Sequence, residues 1–452
     1  MEKKDNISAD SQYNKMVNTP VWKLVTSLAV PTVISMLVTA LYNMADTFFV
    51  SQISTEASAA VGIVFPVMSI IQAFGFTLGM GGGSLISIKL GQKKNDEATQ
   101  IFSTAFFSAL GIGLFILLFG VVFLSQFMRL VGASEAVLPY ANDYARFIFF
   151  GAPFMCSSFV MNNGLRSEGK SFFSMIALTS GGLINIALDP IFIFVLKLGI
   201  SGAAIATLVS QLISFSILLS WYIRRKAICS LGLKYFGNAK TLGKVIITGV
   251  PSLARQGLAS VATILLNTMA GRFGGDSAVA GMSIVTKICM FIASIMIGIG
   301  QGFSPVSGYN YGAKRYDRVF KAWLFMILSG FGIMTLMSSL CMIFAPLILR
   351  AFRDDDMVVQ IGTVALRWQA GFIPFHPLIV GTNMLMQSTR HVKQATFLSM
   401  NRQGIFFIPA ILILPALFGL TGVEISQFVA DVCSAVCAIP FAIAFFKKYK
   451  AI

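Results

Sequence analysis

The chain is 452 residues long, 56% hydrophobic and only 12% charged, with 41 phenylalanines and a formal net charge of +16. So little polar surface excludes a soluble globular protein of this length, whose outside must face water, and makes lipid the solvent. The basic residues flank apolar runs instead of forming a stripe, which argues against a nucleic-acid partner.

Residues 1–23 are polar and lack the apolar core of a cleaved signal, so the first span is expected to direct insertion. Apolar helical runs follow near 24–50, 57–88, 98–124, 141–164, 172–196 and 203–223, then near 245–271, 277–309, 319–347, 361–387, 395–417 and 423–446. Each is long enough to match the roughly 20 residues that cross a hydrocarbon core as helix. Twelve spans are therefore expected, six on either side of a basic stretch at 224–244 that holds Gly232, Gly237 and Gly243. The expected organisation is an N-terminal tail at 1–23, a first lobe at 24–223, a linker at 224–244, a second lobe at 245–446 and a tail at 447–452.

The two halves repeat. Ala29-Val30-Pro31 recurs as Gly249-Val250-Pro251, and Leu198-Gly199-Ile200-Ser201-Gly202 as Phe418-Gly419-Leu420-Thr421-Gly422, both 220 residues on (251 − 31; 419 − 199). An even number of spans per half puts both repeats into the membrane in the same sense, related by an axis along its normal. The fold class expected is an all-α polytopic membrane protein, twelve transmembrane helices in two six-helix lobes related by a pseudo-two-fold along the membrane normal. Two such bundles leave a cleft that opens to either side by rocking.

Lys and Arg concentrate in every second connection: Lys93 and Lys94; Arg166 and Lys170; the stretch 224–244; Lys314 and Arg315; Arg390 and Lys393; Lys447, Lys448 and Lys450. By the positive-inside rule both termini are cytoplasmic. The six cysteines show no metal-ligand spacing and read as small apolar packing residues.

Acids inside spans carry the most information. Asp46 and Asp189 lie well inside the first half, each at a cost of about 2.5–3.5 kcal/mol near a helix centre, so each is expected to face a polar cavity. Asn185 is one helical turn before Asp189, and Tyr42 and Asn43 are one turn before Asp46. Such a pair can take up a proton or hold Na⁺, which wants several oxygen ligands. Pro190 offers another role for Asp189, satisfying backbone groups that the proline frees. Pro31 reads either as a passive kink or as a hinge that bends during transport.

Tyr42-Asn43-Met44-Ala45-Asp46-Thr47, the Gly91 to Lys94 loop, Leu165-Arg166-Ser167-Glu168-Gly169, Asn185-Ile186-Ala187-Leu188-Asp189-Pro190 and the Gly302 to Pro305 region together resemble the multidrug and toxic compound extrusion (MATE) family, in order over essentially the whole chain. The resemblance implies efflux driven by inward H⁺ or Na⁺. It further implies an ion site at Asp46, Tyr144, Asn162, Asn185, Asp189 and Thr207, with Asn163 a rival for Asn162. The family branch with coupling carboxylates on helices 7 and 10 is not matched: Arg255 and Arg367 stand there with no acid.

In the second half, Arg255, Lys287 and Arg402 lie inside or near the ends of spans. Pairing of Arg255 and Lys287 with Asp431 is the economical way to bury them, and contact with an anionic or zwitterionic substrate is the alternative. Met290 is a candidate for lining an apolar cleft. Gly79 to Gly83 lacks the lysine ending of a phosphate loop, and His376 reads as a local polar contact.

The function expected is a secondary active multidrug exporter of amphipathic, cationic organic compounds in a prokaryotic plasma membrane. It is expected to work as a monomer in lipid, with no cofactor beyond the coupling ion, no metal and no catalytic constellation. The alternatives are a lipid-linked oligosaccharide flippase or an exporter of anionic or zwitterionic metabolites that uses the basic second-lobe residues.

Overall fold

Hydrocarbon offers no hydrogen-bond partner, so a chain crossing it must satisfy its backbone internally, and helices do so residue by residue. The computed structural model describes residues 2–449, and no strand occurs among them. The helices are α1 (Glu2–Asn18), α2 (Val21–Ser51), α3 (Thr55–Gly91), α4 (Asn95–Val122), α5 (Leu124–Leu130), α6 (Leu138–Ser167), α7 (Ser171–Pro190), α8 (Gly199–Ile223), α9 (Ala239–Gly312), α10 (Tyr316–Phe352), α11 (Asp356–Phe372), α12 (His376–Ser388), α13 (Val392–Met400), α14 (Phe407–Phe418) and α15 (Leu420–Lys448). Lys450 lies outside the described residues.

Ten helical stretches are long and apolar enough to span a bilayer. One of them, α9, has 74 residues, roughly 110 Å of helix and far more than a membrane's thickness. It is two spans meeting at Gly275, whose φ of 65° and ψ of −161° suit only glycine. A further span is split into α11 and α12 by a 3₁₀ turn at Ile373–Phe375. The count is thus 10 + 1 + 1 = 12 spans, two lobes of six.

The duplication is visible in the backbone. Left-handed residues recur at matching places: Lys93 and Lys314 both have φ 59°, Gly199 and Gly419 have φ 57° and 60°, and Gly169 and Arg390 have φ 78° and 64°. The fifth span of each lobe carries a π-helical segment, Ile191–Val195 and Asn401–Ile405. Such bulges widen a helix and free backbone groups, often near functional sites. The segment read from sequence as an N-terminal tail is helical. Gln12 of α1 donates to the Glu168 carbonyl (2.9 Å) in the first lobe, while Asn310 of the second donates to the Met16 carbonyl (3.3 Å).

The lobes meet along a seam of glycines at the face bearing the basic connections. A Cβ on Gly81 would strike the backbone of Val245, on Gly249 that of Thr77, on Gly302 that of Ala29, on Gly91 that of Tyr309 and on Gly312 that of Ile88. Only hydrogen fits between backbones this close. Every one of these contacts lies in the basic halves of α2, α3 and α9. The far-half glycines Gly62 and Gly257 have open space around them. The two lobes are thus sealed at the basic face and free of glycine contact at the far face.

Because the seam has no room for a methyl group, Gly249→Ala is expected to destabilise the sealed form by about 1–3 kcal/mol, the range for overpacked sites. A lowered melting temperature of purified protein in detergent checks it, with Gly257→Ala, in open space, leaving melting unchanged.

Candidate ion-coupling site

Close helix approach builds a polar pocket in the far half of the first lobe. Gly182 on α7 lets α2 come near, since a Cβ there would press on Val38 and Tyr42. Gly202 on α8 abuts the backbone of Phe192 and Ile193, which brings α8 against the end of α7. Asp46 of α2 accepts a hydrogen bond from the Tyr144 hydroxyl of α6 at 3.2 Å. On α7, Asn185 Nδ2 donates weakly to Asp189 Oδ1 and to Thr207 Oγ1 of α8, each at 3.4 Å. Asp46, Asp189 and Tyr144 lie within Coulombic reach of one another.

Asp189 is wholly buried. Three acceptor atoms of this pocket, Asp46 Oδ1, Asn185 Oδ1 and Asp189 Oδ2, are buried without a hydrogen-bond donor. No Lys or Arg forms an ion pair with either acid among the described residues. Buried acceptors without donors are costly. An ensemble of carboxylate and amide oxygens in that condition suits a proton or a small hard cation such as Na⁺.

Five of the six residues expected at this site come together. Asn162 does not: it stands 18 residues from Tyr144 on α6 (162 − 144), roughly 27 Å along the axis. Its amide donates instead to the Ser174 carbonyl at 3.4 Å, toward the basic face. Asn163, its rival, donates to the Phe159 carbonyl of its own helix at 2.8 Å. The family resemblance implied Asn162 at the ion site, and it shares a face of α6 with Tyr144 but not its depth. Pro31 sits inside an unbroken α2, between Ala29 and Val33, which face Gly302 and Gly298 of the seam.

The second lobe holds a different kind of cluster. Asp431 Oδ1 accepts from Arg402 Nε at 2.7 Å and from Gln427 Nε2 at 2.8 Å, while Oδ2 meets His376 Nε2 at 3.0 Å. The expected pairing of Asp431 with Arg255 and Lys287 is therefore corrected. Arg402 and His376 reach the acid from neighbouring spans, Arg255 reaches Met80 Sδ at 3.6 Å, and Lys287 is exposed. Met290 is 62% exposed. Gln427 carried a sequence signal, one turn before Asp431, but His376 had none, because its partner is 55 residues away.

Comparison with known proteins follows the same outline. A family model described as MatE matches residues 31–191 and 251–413, one match in each half. The chain belongs to the MatE family, the multidrug and toxic compound extrusion transporters. A multidrug export protein MepA from Staphylococcus haemolyticus is 27% identical over 95% of both chains. This MATE chain also superposes on a solved structure described as the outward-facing conformation of a multidrug resistance MATE family transporter, with a TM-score of 0.92, 27% identity, and coverage of 97% of this chain and 98% of the other. A Pyrococcus furiosus transporter, described as having a binding pocket of reverse polarity that suggests a different function, gives a TM-score of 0.91 at 27% identity, covering 96% and 98%. The MATE fold with its twelve helices thus stands on family, relatives and geometry together.

Removing one partner of a buried ion pair leaves the other uncompensated. Asp431→Asn in this MATE transporter is expected to cost about 3–5 kcal/mol through the stranded Arg402, read as a large fall in melting temperature. Asp46→Asn, which strands no cation, is expected to melt close to wild type.

Proposed function

We propose that this MATE transporter is a secondary active multidrug exporter that antiports H⁺ or Na⁺, bound at Asp46 and Asp189, against amphipathic cationic organic compounds by alternating access. The carrying observation is the trio of donorless acceptors in the first-lobe pocket. A pocket with two acids and no internal cation needs one from outside, and the coupling ion supplies it. Tyr144, Asn185 and Thr207 orient the acids.

In this reading the sealed face, which bears the basic connections, is cytoplasmic with both termini, in the plasma membrane of a prokaryote; the positive-inside pattern supports it. In that orientation the pocket lies on the external side, where the inward ion gradient begins. One charge crossing 100 mV is worth about 2.3 kcal/mol, more than a tenfold concentration gradient. Pro31, flanked by the seam contacts of Ala29 and Val33 on the helix that carries Asp46, is the hinge in this reading. The first lobe is taken as 24–223 and the second as 245–446, acting as a monomer.

One observation favours a second reading. Arg255 and Lys287 have no acid partner among the described residues, which suits a substrate carrying negative charge, a zwitterionic metabolite or a lipid-linked oligosaccharide.

The test is ethidium efflux from proteoliposomes under a pH gradient or a Na⁺ gradient imposed separately. Wild type is expected to export under one of them, and Asp46→Asn and Asp189→Asn to fall to the leak rate of protein-free vesicles. Efflux that persists in both variants contradicts the site. No gradient-driven ethidium efflux in wild type, with transport of an anionic dye lost in Arg255→Gln, supports the second reading.

A further inference from the structure

Within the seam, between Gly81 and Gly91 on α3, the two lobes border a small, partly open cavity of about 30 Å³ lined by Met80, Ser84, Asn163, Arg166, Gln301 and Ser304 among others. Arg166, at the end of α6, is only 4% exposed. Its Nε donates to Ser174 Oγ at 3.2 Å, and its Nη1 donates across the lobes to Gln301 Oε1. Its Nη2 is buried and finds no acceptor in the protein.

No carboxylate among the described residues forms an ion pair with this charge. Glu168, two residues on, is fully buried but spends its oxygens on the Ile228 and Cys229 amides, both at 2.8 Å, and on Lys170 at 3.3 Å. Arg255 approaches Met80, a wall of the same cavity, and forms no ion pair either. The Arg166 guanidinium therefore borders this polar cavity without a counter-charge among the described residues. A guanidinium cannot shed its proton at neutral pH to escape the cost of burial. Neutral side chains give it acceptors but not charge, and an uncompensated buried charge is strongly unfavourable.

We propose that this cavity is a binding site for a small monovalent anion of the halide class, held by Arg166 Nη2 and the Ser84 hydroxyl. The ion sits beside the Arg166–Gln301 hydrogen bond that joins the lobes. Both ligands belong to the first lobe, and Gln301, Ser304 and Pro305 of the second lobe cover the ion when the basic face is sealed. The inference is independent of the drug-export reading, because its cavity lies within the seam, with Arg166 standing 22 residues along α6 from Tyr144 (166 − 144), and its readout requires no transport.

The probe is bromide. Purified full-length protein is melted in increasing sodium bromide, with sodium gluconate keeping Na⁺ and ionic strength constant. Wild type is expected to show a melting temperature that rises and saturates with bromide, whereas Arg166→Gln melts alike in both salts. Anomalous scattering from crystals of the wild type in bromide is expected to place an ion within hydrogen-bond distance of Arg166, and this reading stands even if Arg166→Gln fails to fold. Equal melting of wild type in the two salts, a bromide effect undiminished in Arg166→Gln, or a cavity holding water only would each overturn the proposal.

Discussion

A carboxylate in hydrocarbon is costly unless a positive charge comes with it, and the two lobes of this chain meet that constraint in opposite ways. In the second lobe Asp431 is fully answered from within, by Arg402, His376 and Gln427. That cluster ties α12, the π-helical turn before α14, and α15 into one unit. In the first lobe Asp46 and Asp189 have hydroxyl and amide neighbours but no internal cation, and three acceptors lack donors. The chain thus duplicates a fold while giving one copy a closed charge network and the other an open one. The open one is where an external cation has a reason to bind.

The seam supplies the second half of the account. Backbone contact through Gly81, Gly249, Gly298 and Gly302 leaves no side chain to yield, so the lobes are either closed there or apart. Helix α2 belongs to both features. Its Ala29 and Val33 press against the seam glycines, and its Asp46 lies in the acid pocket four turns farther on. A change of charge at Asp46 and a change of contact at Ala29 act on one rod, with Pro31 between them. In the proposed antiport, that arrangement is the mechanical route from a bound ion to the gate, with no wire of side chains through the lobes.

Much of this architecture was legible in the sequence because lipid imposes it. Apolar runs of spanning length, the recurring Pro31 and Pro251, and the basic residues in alternate connections all report local composition, and the helices follow them closely. Asp46 and Asp189 were legible for the same reason, since an acid inside an apolar run needs explaining. Depth and partnership were less so. Asn162 shares a helical face with Tyr144 yet lies several turns away, because a period of 3.6 fixes direction and not height. Asp431 chose Arg402 and His376 over Arg255 because side-chain reach between neighbouring spans decides pairing, and no sequence spacing encodes it. The orphaned nitrogen of Arg166 is likewise invisible until the lobes are brought together.

The central claim is that the charge state of the acid pocket sets which face is open. Spin labels at Ser134 and Asp354, equivalent outer connections of the two lobes, report their separation at the far face in protein whose native cysteines have been replaced. The account predicts a distance distribution that shifts with pH or with Na⁺ in the otherwise wild-type background and stays fixed when Asp46 and Asp189 are both changed to Asn. An ion-driven shift of the same size in the doubly substituted protein would contradict it.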